Sequence, residues 1–162
     1  MRTEGYDVAQ ICVNGHVINS DAVSSPSFNK KFCDECGAET IMHCPTCKVP
    51  IKGSYHYPGI FSMGIGFEAP KFCDNCGNMY PWTASQIQVA SELIELAENI
   101  SQGEKDDFNS NILDLVRETP KVPVAQIKVK RLIGKIDIGI SDGIHDALES
   151  VISKTIQNNI WK

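Results

Sequence analysis

Lys31-Phe32-Cys33-Asp34-Glu35-Cys36-Gly37 returns forty residues later as Lys71-Phe72-Cys73-Asp74-Asn75-Cys76-Gly77, with six of the seven positions identical. A phrase repeated at such a distance marks an internal duplication. Each copy holds a Cys-x-x-Cys clip, and each is preceded by another clip. Cys12-x-x-x-His16 stands before the first copy and Cys44-x-x-Cys47 before the second. The four clips supply eight ligands, enough for two complete tetrahedral sites, and use each of the seven cysteines once.

The duplication also suggests how the clips combine. Each repeated unit should close its own site, with Cys12, His16, Cys33 and Cys36 in one and Cys44, Cys47, Cys73 and Cys76 in the other. The alternative is a cross-braced order that joins the first clip to the third and the second to the fourth. Two structural Zn2+ ions are the expected cofactors, with iron the lesser alternative in an all-cysteine site. An odd cysteine count, very short spacings and the lack of a secretory leader argue against disulfides. Gly37 and Gly77 follow the second cysteine of their clips and Gly15 lies inside the first, where tight knuckles call for positive φ. The fold class expected is α+β and metal-stabilised: two sequential zinc ribbons over residues 1–82, then an α-helical region over 83–162.

The phrases Cys12-Val13-Asn14-Gly15-His16-Val17-Ile18, Lys31-Phe32-Cys33, Thr40-Ile41-Met42-His43-Cys44-Pro45-Thr46-Cys47 and Cys76-Gly77-Asn78-Met79-Tyr80-Pro81-Trp82-Thr83 resemble a bacterial zinc-ribbon family, domain of unknown function 2321. The resemblance is clearest over residues 8–83. It implies the same eight metal ligands and carries no activity with it.

At 162 residues the chain is long enough for a helical core beside the metal region. No apolar run is long enough to span a bilayer, and thiols committed to metal favour the cytoplasm. The formal net charge is −5. Seven thiolates and two zinc ions take the folded protein to about −8, which works against nucleic acid as a partner. Residues 83–119 carry net −6 and residues 120–162 net +3, with Lys121, Lys128, Lys130, Arg131 and Lys135 in one short window. That basic segment either packs beside the acidic helix before it or meets an acidic partner.

Helical periodicity predicts four helices, about 84–101, 105–118, 123–136 and 142–160. Thr83-Ala84-Ser85-Gln86 reads as a capping box, with Gly103 ending the helix, and Trp82 is expected at the junction with the metal region. Val122-Pro123-Val124 leaves a strand open as the alternative for the third helix. The isoleucine-rich last helix offers a face for its own bundle or for a homodimer.

The stretch from Gly53 to Phe67 carries four aromatic residues. Tyr55, Tyr57 and Phe61 are the leading contact residues of this loop, unless they form the ribbon's own core. Of the histidines outside the ligand set, His43 adjoins Cys44, His56 lies in the aromatic loop, and His145 lies near Asp142 and Asp146 at the expected start of the last helix. No nucleophile or phosphate loop accompanies His145. The functional expectation is a non-enzymatic zinc protein that binds an unidentified protein partner. The alternative is a nucleic-acid binder using the aromatic loop 55–61 and the basic segment 121–135.

Overall fold

The computed structural model describes residues 4–60 and 66–162, so Phe61 lies outside the described residues. The chain divides into two compact units, Met1–Thr83 and Ala84–Lys162. The fold is α+β, with short antiparallel sheets, five α-helices and two cysteine-rich clusters among the described residues.

The first unit is built on two small sheets. Strand β1 (Gly5–Val8) pairs with β5 (Lys52–His56), setting Tyr6 opposite Tyr55 and Val8 opposite Lys52. Strand β2 (Gln10–Cys12) is central in the other sheet, between β3 (Val17–Asn19) and β4 (Thr40–Ile41). Ala9, Ile11 and Ile51 are fully buried, and with Tyr80 and Trp82 they form a core that includes Cys44 and Cys73. The rings of Tyr80 and Trp82 stack at 4.8 Å, and Trp82 donates its indole N–H to the Pro70 carbonyl at 2.8 Å.

Two buried polar side chains fasten the long loop after β3. Gln10 donates to the Lys30 carbonyl and accepts from the Lys30 N–H, both at 2.9 Å. Asn19 donates to Ser25 O at 2.9 Å and to Asn29 Oδ1 at 2.7 Å. Buried polar groups paired in this way add local fixity without leaving an orphaned donor. Gly53 serves close packing: a Cβ there would lie 2.1 Å from the Ser20 carbonyl oxygen, which accepts the Ser54 N–H at 2.8 Å.

Helix α1 spans Pro81–Glu95, earlier at both ends than the periodicity predicted. Pro81 takes the first position, where a missing N–H costs nothing. Thr83 is therefore inside the helix rather than capping it, and its buried hydroxyl has no partner among the described residues. The early stop has its own cause. Ser101 and Glu104 form a capping box that starts α2 (Gln102–Val116), so residues 96–101 turn rather than extend α1. Ala97 and Ile100 are still buried, which is why their spacing mimics a helical face.

Phe108, Ile112, Leu115 and Val116 of α2 are buried, and α2 packs on α3 (Val122–Ile133). The third element is thus a helix, not a strand, and Pro123 sits harmlessly in its first turn. Burial of side chains this size contributes about 1.5–3 kcal/mol each.

The single helix expected at 142–160 is two helices, α4 (Ile138–Leu148) and α5 (Lys154–Trp161). Asp137 caps α4, accepting the Gly139 N–H at 2.8 Å. Ser153 caps α5 by accepting from the Ile156 N–H, and buried Gln157 donates to the carbonyls of Glu149 and Ile152 at 2.7 and 2.6 Å. Those carbonyls would otherwise be orphaned by the break. Ile156 and Ile160 are covered within this unit, where α5 packs on α3.

Candidate metal centres

Three short hairpins present the cysteine pairs, and all three follow one hydrogen-bond pattern. The N–H of Cys33, Cys44 and Cys73 donates to the carbonyl five residues on, at Ala38, Val49 and Asn78. The N–H of Gly37, Lys48 and Gly77 donates back to the carbonyl of the first cysteine at 2.8–2.9 Å. An outer bond then joins Thr40 to Lys31, Ile51 to Met42 and Tyr80 to Lys71. The Cys44 hairpin is thus a third copy of the repeat. Lys48 disguises it, holding φ 65° where Gly37 and Gly77 hold 71° and 73°.

The fourth clip is built differently. Cys12 ends β2, and a tight turn closes with Gly15 N–H to Cys12 O at 2.8 Å. Gly15 has φ 94°, and a Cβ there would meet the Trp82 side chain at 2.9 Å.

These turns bring the ligand atoms together as Cys12–His16–Cys33–Cys36 and Cys44–Cys47–Cys73–Cys76, each set within 4.8 Å. The grouping is sequential rather than cross-braced. Four ligands at tetrahedral angles, about 2.3 Å from zinc for sulfur and about 2.0–2.1 Å for nitrogen, stand about 3.8 Å apart sulfur to sulfur and about 3.6 Å sulfur to nitrogen. In the first tetrad His16 Nδ1 is 3.5 Å from the Cys12 sulfur and 3.6 Å from the Cys33 sulfur, and Cys12 to Cys36 is 3.8 Å. In the second, Cys44 to Cys76 is 3.8 Å and Cys47 to Cys73 is 3.6 Å. All seven cysteines are free, and a disulfide needs sulfurs about 2.05 Å apart. The residues therefore fit a tetrahedral ion of this size.

The thiols are prepared for a cation. The Ala38 N–H and then the Asn14 amide hold Cys36 down at about 6. The N–H groups of Cys76 and Asn75 do the same for Cys73, also to about 6. Cys76 is drawn down by the Asn78 N–H, yet burial and the sulfurs of Cys47 and Cys73 push it up to about 11. Crowded sulfurs of this kind repel as thiolates, and a divalent ion removes the conflict.

Further side chains support the sulfurs, and the sequence reading missed them. Asn14 Nδ2 donates to Cys36 at 3.4 Å and Asn78 Nδ2 to Cys76 at 3.5 Å. The Tyr80 hydroxyl is buried, and burial first and the neighbouring Cys73 sulfur second push its pKa up. The other ring nitrogen of His16, Nε2, lies 3.8 Å from the Glu35 carboxylate. An asparagine two residues beyond Cys12 and Cys76 was the available signal.

The other candidate residues are placed as follows. Tyr55 stacks between Tyr6, at 4.8 Å edge to face, and Tyr57, at 4.5 Å. In the second unit Lys128 pairs with Asp107 at 3.3 Å and Lys135 with Glu104 at 2.6 Å, so the basic helix does lie against acids of α2. His145 packs edge-on to Trp161 at 5.0 Å, and its Nδ1 is 3.6 Å from Asp146. Among the described residues no helix is long and apolar enough to cross a membrane.

No curated protein and no solved structure matches the chain. One family model does, over residues 5–160, and it spans both tetrads and all five helices up to Ile160. The chain therefore belongs to the bacterial family described as "Uncharacterized protein conserved in bacteria (DUF2321)".

Proposed function

We propose that this chain is a non-enzymatic zinc-ribbon protein of the bacterial cytoplasm, a scaffold that binds another protein. The observation that carries the reading is the closure of both tetrads. Each brings four protein ligands together, so an ion held there keeps no open position for a substrate. Two Zn2+ ions, one held by Cys12, His16, Cys33 and Cys36 and the other by Cys44, Cys47, Cys73 and Cys76, would fix the hairpins and the core beneath them. Zinc contributes charge neutralisation and rigidity there. Support for a contact role comes from the exposed rings of Tyr6 and Tyr57 on either side of Tyr55.

The nucleic-acid reading is weaker, because Lys128 and Lys135 already face carboxylates and the net charge is negative. A catalytic role for His145 is weaker too, since it packs against the Trp161 ring and faces the exposed Asp146 carboxylate. A native pull-down of the zinc-loaded protein from its host lysate, with and without nuclease, tests the proposal. Protein partners that survive nuclease support it. Partners that vanish with nuclease overturn it in favour of nucleic acid.

A further inference from the structure

Beside the β1–β5 pair lies a cavity of about 200 Å³, walled in part by the rings of Tyr6, Phe72 and Tyr80 and by the carboxylates of Glu68 and Asp74. Cofactor-sized sites run to about 300–1,000 Å³, so this one suits a single side chain. Its chemistry is shown by a residue already in it. The Lys52 ammonium lies 2.5 Å from an Asp74 oxygen and 5.0 Å from the centre of the Tyr6 ring. A carboxylate beside an aromatic face is a receptor for an organic cation.

Two features make that receptor available to a partner. Lys52 and Asp74 are both more than half exposed, at 56% and 53%, so their pairing is weak and exchangeable. Asp74 also stands between Cys73 and Cys76, and a tetrathiolate zinc centre there adds a net charge of about −2 beside it. The cavity lining itself sets two carboxylates, Glu68 and Asp74, against the single Lys52 ammonium. The open ring of Tyr6, 59% exposed, forms the entrance.

We infer that this cavity docks a lysine side chain from a basic segment of the protein partner, displacing the Lys52 ammonium from Asp74 and the Tyr6 ring. The inference rests on the scaffold reading and specifies the chemistry of its partner. Lys52 acts as a place-holder: it keeps the carboxylate and the ring paired until the partner arrives.

The test uses the zinc-loaded full chain and three capped tripeptides, Gly-Lys-Gly and its norleucine and arginine counterparts, titrated while the ring resonances of Tyr6 and Tyr80 are followed by NMR. The lysine peptide is expected to bind and the norleucine peptide not. Lys52→Met removes the competitor and should tighten binding by up to about fivefold, whereas Asp74→Asn should weaken it. Both variants are checked for two bound zinc ions, which separates a lost receptor from a lost fold. Equal binding of the norleucine peptide, tighter binding of the arginine peptide, or no gain with Lys52→Met overturns the inference. Partner capture from lysate that is unchanged in Asp74→Asn also overturns this site and leaves the scaffold reading standing. With no capture by either protein the scaffold reading fails, and the peptide titration still judges the cavity.

Discussion

Paired cysteine substitutions separate the two possible ways of joining the clips, because they change a whole number. The tetrads observed are Cys12–His16–Cys33–Cys36 and Cys44–Cys47–Cys73–Cys76. Cys12→Ser with Cys33→Ser removes two ligands from one tetrad and leaves the other whole, so one metal should remain. Cys12→Ser with Cys44→Ser breaks both tetrads, and none should remain. A cross-braced protein gives the reverse, since Cys12 and Cys44 would then share a site. The energy at stake is large. Each structural zinc is worth about 10–16 kcal/mol of apparent binding free energy, against a typical domain stability of about 5–15 kcal/mol. A broken tetrad should therefore empty rather than weaken. Native mass spectrometry with metal analysis counts the ions, and Trp82 fluorescence reports the core it shares with Tyr80, Cys44 and Cys73. One metal retained by the Cys12/Cys44 double variant, together with none in the Cys12/Cys33 variant, refutes the assignment.

Three smaller perturbations probe the frame. Gly77→Ala meets nothing within 4 Å, so its cost is backbone strain alone, about 1 kcal/mol, while Lys48→Gly relieves the same strain and should not destabilise; denaturant midpoints of the zinc-loaded proteins read both. Gln157→Met leaves the Glu149 and Ile152 carbonyls without their donor and should cost about 1–3 kcal/mol, with faster amide exchange at the α4–α5 junction. Glu104 is held at about 2 by the Lys135 ammonium and then by the Ser101 N–H. A depressed carboxyl stabilises the fold above its ordinary value of 4.5, and that contribution is lost as pH falls from 4.5 through about 2. The Glu104 carboxyl carbon resonance should titrate near 2 in the wild type and move up in Lys135→Met, while staying below 4.5 because the Ser101 N–H still donates.

The duplicated Lys-Phe-Cys-Asp phrase made the metal half legible, because ligand type and spacing are set by coordination chemistry before any packing is considered. The Cys44 hairpin stayed hidden as a third copy because Lys48 occupies a conformation that glycine marks in the other two. In the helical half the apolar faces were readable, as at Phe108, Ile112, Leu115 and Val116. The ends were not. Ser101 and Ser153 start new helices inside stretches where the apolar spacing runs on, and periodicity is blind to a turn that keeps its residues buried. The asparagines Asn14 and Asn78 act through hydrogen bonds to sulfur, which the metal-ligand pattern itself does not encode.

The order of the ligands along the chain has a consequence for biosynthesis. Every ligand of the first tetrad, from Cys12 to Cys36, precedes every ligand of the second, from Cys44 to Cys76. Translation advances at about 5–20 residues per second, so the four ligands of the first tetrad emerge from the ribosome ahead of those of the second. A nascent chain can therefore take up one ion, with Cys12 and Cys33 buried, before the second tetrad is complete. An interleaved arrangement would leave Cys12 and His16 waiting for Cys44 and Cys47, and Cys33 and Cys36 waiting for Cys73 and Cys76. The linear order of the clips lets the protein load its metals one at a time, from the N-terminal end.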